Sequence, residues 1–323
     1  MDIITAAEAR TDFAAWWADP AFTVEDHPYC GGFGRSYYPQ VAGAGRRDAS
    51  FAIAEHGRPL LLAACSVGAG RLDWFGMPLR LFPRRDLAPD VASGTIRAAF
   101  THLDDLAERE AAPTLAIADD GEGGQLSLVG EQCLNRRMAA RVRLTAIATL
   151  TEGEAGLRRG LRKSYKSLLN WGQRNLEIRV VDAAAPDRAA FDLFQDFHRV
   201  VAGRVTRPQE SWDAMYAWIA NGGGELVLAN LDGELVAGTM VVDGKSVAAY
   251  ASGVYDRERF DKPMAHWPLW VAMLRAAGRG RAEFDLGEIP LAGTVETKEF
   301  NIGYFKQGFA TSIRTALTWT THG

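Results

Sequence analysis

The sequence predicts a mixed α/β (α+β) protein made of two similar domains in tandem, each a mixed twisted sheet flanked by helices. Three observations lead there. Apolar runs of strand length, separated by His-Gly or Asp-Gly turns, recur in both halves of the chain. Each group of runs is followed by a stretch with helical apolar spacing and then by one more short apolar run. The groups can also be superposed: FAIAEHGRPLLLAACSV lies over ELVLANLDGELVAGTMVV with the turn glycines Gly57 and Gly233 in register, which points to an internal duplication.

In chain order, residues from about Ala6 to Ala18 read as a helix closed by Pro20. The glycine- and aromatic-rich segment Pro28 to Pro39 lacks the strand before it and the helix after it that a nucleotide loop requires, and is expected as a surface loop with stacked aromatics. A hairpin follows (Phe51 to Glu55, then Pro59 to Val67), then a strand pair within Arg71 to Phe82 interrupted by Gly76 and Pro78. A helix is expected over Pro89 to Glu110, with proline in its first turn and Val91, Ile96, Phe100, Leu103 and Leu106 on one face. Strands are expected at Thr114 to Ala118 and Ala140 to Leu150.

The second half opens with TEGEAGLRRGLRKSYKSLLNWGQRN, read as one amphipathic helix with a Thr151/Glu154 capping box and a stripe of Leu157, Leu161, Tyr165, Leu168 and Leu169. Helices over Pro186 to Gly203 and Gln209 to Ala220 precede the second hairpin, Glu225 to Val242. A strand at Ser246 to Tyr255, a helix at Pro263 to Ala277 and a short strand at Glu283 to Leu286 complete the repeat. The domains are expected at 1–150 and 151–323, the second opening with a basic linker helix over 153–174.

Net charge is -4, with 47% hydrophobic and 24% charged residues. This mild acidity argues against general nucleic-acid or membrane-surface binding, so any such partner needs a local basic patch. Cys30, Cys65 and Cys133 are widely spaced and odd in number, as expected of reduced packing residues rather than a disulfide framework or zinc site. The N-terminus lacks the basic, then apolar, layout of a signal peptide, and no apolar run reaches the ~18–20 residues of a spanning helix. A cytoplasmic protein without membrane insertion is the expectation.

The stretch AEFDLGEIPLAGTVETKEFNIGYFKQGFA, Ala282 to Ala310, carries the strongest site signal. An apolar strand ends on Asp285 and Glu288, and a loop bearing glycine and threonine leads to Lys298 and the cluster Tyr304-Phe305-Lys306. Polar groups at the end of a buried strand, faced by a returning aromatic and lysine, are how α/β proteins assemble a site. The stretch fits equally a plain strand, loop and strand that closes the domain. Arg158, Arg159, Arg162, Lys163, Lys166 and Arg174 load the other faces of the linker helix with no acid between Leu157 and Asn175. They read either as a solvated face or as a surface for phosphates, in a nucleotide tail, an acyl-CoA or a tRNA arm.

His198, Arg199 and Arg204 at one helix end, Tyr250 and Tyr255 in a strand, and His266 with Trp267 at a helix start lie where a pocket wall is expected. A structural role for both histidines is the simpler reading, because a histidine base needs an orienting partner. No Ser/His/Asp or Cys/His pattern, metal-spaced cluster or Walker-type loop occurs. The chemistry expected is therefore transfer by positioning and polarisation, with no metal and no permanently bound cofactor.

From Leu157 onward the order LRRGLRKSYKSLLNWGQR, FHRVVAGRVTRPQESWDAM, LVLANLDGELVAGTMVV, FDLGE and YFKQGFATSI resembles the FemAB-like (Fem-type) branch of the GNAT acyltransferase superfamily, while the first half matches only in plan. The resemblance implies two tandem GNAT-like domains. It also implies transfer of an aminoacyl group from aminoacyl-tRNA, or of an acyl group from a thioester such as acyl-CoA, onto an amine of a cell-envelope precursor, polysaccharide or small metabolite. In that family the aromatic-lysine pair of the closing strand helps to hold the donor and to stabilise developing charge, a role that falls here on Phe305 and Lys306. Asp285 and Glu288 are the candidates for binding the amine or sharing its proton.

The donor and acceptor walls would then include Tyr255, His266, Trp267, Lys298, Tyr304, His198, Arg204, Arg158, Arg162, Lys166, Arg257 and Arg259. One departure is DRERFDKPMAHW, which holds Arg257 and Arg259 where GNAT enzymes place a glycine-rich pyrophosphate loop. Two alternatives stay open: a CoA-dependent N-acetyltransferase using the second domain alone, and a non-catalytic tRNA- or nucleic-acid-binding module.

Overall fold

The computed structural model describes residues 1–43, 45–121, 125–259, 261–290 and 297–321. The chain divides into two compact units. Met1–Asp26, Tyr38–Arg143 and Thr315–Gly323 form the first, and His27–Tyr37 with Leu144–Arg314 the second. The units differ from consecutive halves in two segments, because residues 27–37 belong with the later chain and residues 315–323 with the earlier.

The elements in order are β1 (Asp2–Thr5), α1 (Arg10–Ala18), α2 (Gly32–Ala42), β2 (Arg47–Asp48), β3 (Phe51–Glu55), β4 (Arg58–Ala64), β5 (Ser66–Gly68), β6 (Arg71–Asp73) and β7 (Arg80–Pro83). After them come α3 (Pro89–Arg109), β8 (Thr114–Asp119), α4 (Leu128–Asn135), β9 (Ala139–Thr149), α5 (Gly153–Gly160), α6 (Tyr165–Asn175) and β10 (Glu177–Val181). The chain closes with α7 (Arg188–Ala202), α8 (Gln209–Ala220), β11 (Gly224–Leu231), β12 (Glu234–Asp243), β13 (Val247–Tyr255), α9 (His266–Gly278), β14 (Glu283–Ile289), α10 (Thr297–Gln307) and β15 (Ser312–Thr320).

In the first unit β1-β3-β4-β7 form one antiparallel sheet, and β15-β8-β6-β5-β2 run side by side with only β6 and β8 parallel. Its core gathers Phe51, Ile53, Leu61, Leu72, Phe100, Leu103 and Ile117, with α3 presenting its predicted face. In the second unit the order is β10-β11-β12-β13-β14-β9, with β13 and β14 the parallel pair. One core, containing Phe284, Leu286, Trp270 and Phe309, packs with α9; another, containing Phe191, Phe194, Trp212 and Met215, packs with α7 and α8. α7 starts where the Asp187 side chain accepts from Ala190 N–H at 2.9 Å, and ends at Gly203 in the left-handed conformation.

The hairpin repeat holds in detail. His56-Gly57 and Asp232-Gly233 all have positive φ, as a two-residue type I′ turn requires. Each return strand then carries a bulge at its third residue, Leu60 in one and Val236 in the other, before the ladder resumes at Ile53↔Leu61 and Ala229↔Ala237.

Four expectations need correction. The segment Pro28 to Pro39 is no surface loop: it contains most of α2, and Phe33 is fully buried among the second unit's aromatics. The linker helix is two helices, broken at Leu161, where ψ is 139° and the Arg162 N–H turns to the Gly308 carbonyl at 2.9 Å. The capping box is not made, because α5 begins at Gly153 after Glu152 without a side-chain cap. Residues 297–307 form a helix rather than a closing strand, and the glycine- and threonine-bearing loop before it, 291–296, lies outside the described residues.

Candidate active site

β13 and β14 pair for only three residues, Val247–Ala249 against Glu283–Asp285. Beyond them β13 follows β12 to Tyr255 while β14 follows β9 to Ile289. Asp285 therefore stands where the parallel strands part. The ladder with β9 passes from Asp285↔Ile147 to Gly287↔Ala146, so Leu286 is an extra residue, buried in the core. Such a bulge re-aims side chains at a strand end. Gly287 takes φ +90°, and its N–H donates to Asp285 Oδ1 at 2.6 Å.

Lys306 arrives from α10, and its Nζ donates to the Glu288 carbonyl at 3.2 Å. A Cβ on Gly287 would lie 2.8 Å from that Nζ, so the glycine also makes room for the ammonium. Burial holds the Lys306 ammonium below the usual lysine range, opposed by the carboxylates of Asp285 and Glu288.

The third member is His27, which precedes α2 and was not foreseen. Its Nε2 lies 2.9 Å from Asp285 Oδ2, with side chains 25% and 18% exposed. The Tyr29 N–H lies 3.3 Å from Nδ1, so in its neutral form the ring donates through Nε2. Burial opposes charge on His27, but the bond to Asp285 and the Cys30 side chain outweigh it and raise the imidazole to about 9. Burial likewise pushes the Asp285 carboxyl up, and His27, the Gly287 N–H and Lys306 together bring it below the usual carboxylate range. The sequence signal for the bulge was the glycine inside the strand run FDLGE. For His27 no local signal existed, since its partner is 258 positions away.

Around this centre the expected site residues separate. Phe305 and Lys306 are neighbours on a helix and so face different ways. The Phe305 ring packs with His266 at 5.1 Å and Phe309 at 5.3 Å between centroids, and Tyr165 joins them, its hydroxyl donating to the Phe305 carbonyl at 3.2 Å. Arg162 lies 3.6 Å over the Tyr304 ring and donates to the Tyr304 carbonyl at 2.9 Å and the Tyr165 hydroxyl at 3.2 Å. These residues brace α10, which presents Lys306. Burial lowers His266 to about 4, so it stays a neutral packing group near neutral pH.

The remaining candidates stand elsewhere on the second unit. Trp267 packs on Gly172 of α6, and Arg158 pairs with Glu154 at 2.8 Å and lies over Trp270. Arg259 is tied to Glu234 and Asp256. Tyr255, Arg257, Lys166, Lys298 and Arg204 are exposed. His198 is half-buried against Trp212 and lowered to about 4 by that burial and by Arg207. Among the described residues no cluster of His, Cys, Asp and Glu could hold a metal ion.

The family model described as acetyltransferase (GNAT) domain matches residues 155–295, all within the second unit. That stretch matches the GNAT domain model, and the chain as a whole resembles FemX and tandem GNAT structures in fold. FemX is similar in fold with a TM-score of 0.71 at 13% identity, over 98% of this chain and 97% of that chain. The tandem GNAT protein from the clavulanic acid biosynthesis pathway gives 0.57 at 14% identity, over 99% and 98%. L-PGS from Bacillus licheniformis gives 0.53 at 14%, over 81% of each chain. Likenesses at such identities establish the fold alone, and no curated protein sequence matches significantly.

Proposed function

We propose that the second unit holds a transfer site at Asp285 and Lys306, moving an acyl or aminoacyl group from an activated ester or thioester onto an amine. The observation that carries this reading is the Lys306 ammonium set beside the Gly287 bulge and the Asp285 carboxylate, at the point where β13 and β14 part. When the amine nitrogen attacks the donor carbonyl, a C–N bond forms and the oxygen takes negative charge, which a fixed ammonium stabilises. Collapse breaks the C–O or C–S bond, and the proton lost by the amine passes by way of Asp285 to the departing alkoxide or thiolate. Glu288 contributes its carbonyl to hold Lys306.

The Fem-type likeness favours a cell-envelope precursor, polysaccharide or small metabolite as the amine acceptor, and action in the cytoplasm, where aminoacyl-tRNA and acyl-CoA are made. Among the described residues no helix is long and apolar enough to cross a membrane. A second reading, a CoA-dependent N-acetyltransferase using the second unit, draws support from the family match and from the partial loss of the basic ridge to internal partners. Arg158 and Arg159 pair with Glu154 and Glu152, and Arg162 is engaged with Tyr304. That loss also weakens the reading of a tRNA- or nucleic-acid-binding module without catalysis.

The test is turnover with acetyl-CoA, longer acyl-CoAs and aminoacyl-tRNA, each with wild type and Lys306→Ala. Loss of roughly a hundredfold or more in kcat for Lys306→Ala with one donor supports the site, by the usual effect of removing one oxyanion-stabilising group. Full activity in that variant removes its mechanism.

A further inference from the structure

We infer that His27 is a positioning residue for the proposed transfer site, fixing the Asp285 carboxylate through Oδ2 so that it stays ionised and correctly aimed beside Lys306. The inference rests on the transferase reading above and adds to it a residue from the far end of the chain.

The geometry assigns the role. Both oxygens of Asp285 have protein donors, Oδ2 from the His27 ring at 2.9 Å and Oδ1 from the Gly287 N–H at 2.6 Å, so the carboxylate plane is fixed from two sides. Each oxygen keeps a further lone pair for a substrate proton. Nε2 of His27 is in turn engaged by Asp285, and the imidazolium that prevails near neutral pH has no lone pair left to take a proton. A substrate amine therefore meets Asp285 and not the imidazole, which makes His27 an orienting group rather than the base.

The charged and titratable groups facing the pair come from three directions. Asp285 and Glu288 lie on β14, Lys306 on α10, and Cys30 and Tyr29 on the segment that carries His27. Without His27 the carboxylate keeps its partial burial and loses its nearest cation-forming partner. Its proton affinity then rises and Lys306 becomes its main counter-charge.

The experiment is a carbon-13 NMR titration of the aspartate side-chain carboxyls in the full chain, with the Asp285 signal identified by its loss in Asp285→Asn. Wild type is expected to titrate below the ordinary ~3.9 of aspartate. His27→Gln, which keeps size and one donor, should move the midpoint up by about 1–3 units, the effect of removing an adjacent opposite charge. His27→Ala should move it likewise, and added imidazole should reverse that. An Asp285 midpoint that is the same in wild type and both variants overturns the inference.

With whichever donor turns over, kcat in His27→Gln should fall roughly ten- to hundredfold, the range for partners that orient a reacting group. KM should change little, and the acidic limb of the pH profile should rise by the same shift as the titration. If no donor turns over even with wild type, the transferase reading fails by itself, and the titration still decides the part played by His27.

Discussion

Gly287 holds φ +90°, a conformation open to glycine and strained for other residues. Gly287→Ala places a methyl 2.8 Å from Lys306 Nζ, and the ammonium must move. A stability loss of about 1–3 kcal/mol is expected from the backbone alone, together with a drop in transfer, measured by urea denaturation and turnover. A variant of wild-type stability and activity would mean that the bulge does not set the ammonium's place. His27 gives a pH dependence whose sign follows from its raised value. Its charge-dependent contribution is fully present below the ordinary ~6.5 of histidine and fades as pH rises towards about 9. Asp285 is depressed, so its contribution is present above the ordinary carboxylate range and disappears as pH falls through its lowered value. The stability gap between wild type and His27→Gln should accordingly be widest between about pH 4 and 6.5 and narrow towards both extremes, as denaturation at a series of pH values will report.

Helices α6 and α9 approach closely at Gly172, where an added Cβ would lie 2.3 Å from the Trp267 Cβ. Both atoms sit at the root of their side chains, so no rotamer change relieves the clash. Gly172→Ala should cost about 1–3 kcal/mol through overpacking, seen in the denaturation midpoint. Arg162 has a different effect because it acts on one element. It joins the α5–α6 break to α10 by stacking on Tyr304 and donating to its carbonyl. Lysine cannot reproduce a planar stack and a forked donor together. In Arg162→Lys the amides of α10 should exchange with solvent faster while those of β11 and β12 keep their protection, and equal exchange in α10 would remove this role. The amphipathic pattern of residues 153–174 was legible, with Leu157, Leu161, Tyr165 and Leu169 buried as expected. The break was not, because it depends on the Gly308 carbonyl, which meets Arg162 only in the folded chain.

Across the whole molecule, residues 27–37 are part of the second unit's core although they stand near the start of the chain. Phe33 has 0% exposure and packs with Tyr37 at 5.1 Å and Trp218 at 5.7 Å between centroids. Phe33→Ala should destabilise by about 3–5 kcal/mol, the usual cost of emptying a buried phenylalanine site. Hydrogen exchange should show protection lost first in α7 and α8, with β3 and β4 of the first unit little affected. Loss spread evenly over both units would mean that the segment does not serve the second unit in particular.

The sequence by itself determined the fold class, the hairpin repeat with its two turn glycines, the long helix α3, and the placing of Asp285 and Lys306 in one stretch. Those features rest on local periodicity, turn chemistry and short-range order, which are written within a few residues of where they act. Only the tertiary structure decided that Lys306 rides on a helix, that the basic ridge is broken and partly neutralised, and that His27 reaches Asp285. A hydrogen bond between residues 258 positions apart leaves no trace in either neighbourhood. It exists because burial of the aromatics around Phe33 brings the segment to the second unit's sheet, and pairing with Asp285 then offsets the burial of a titratable ring.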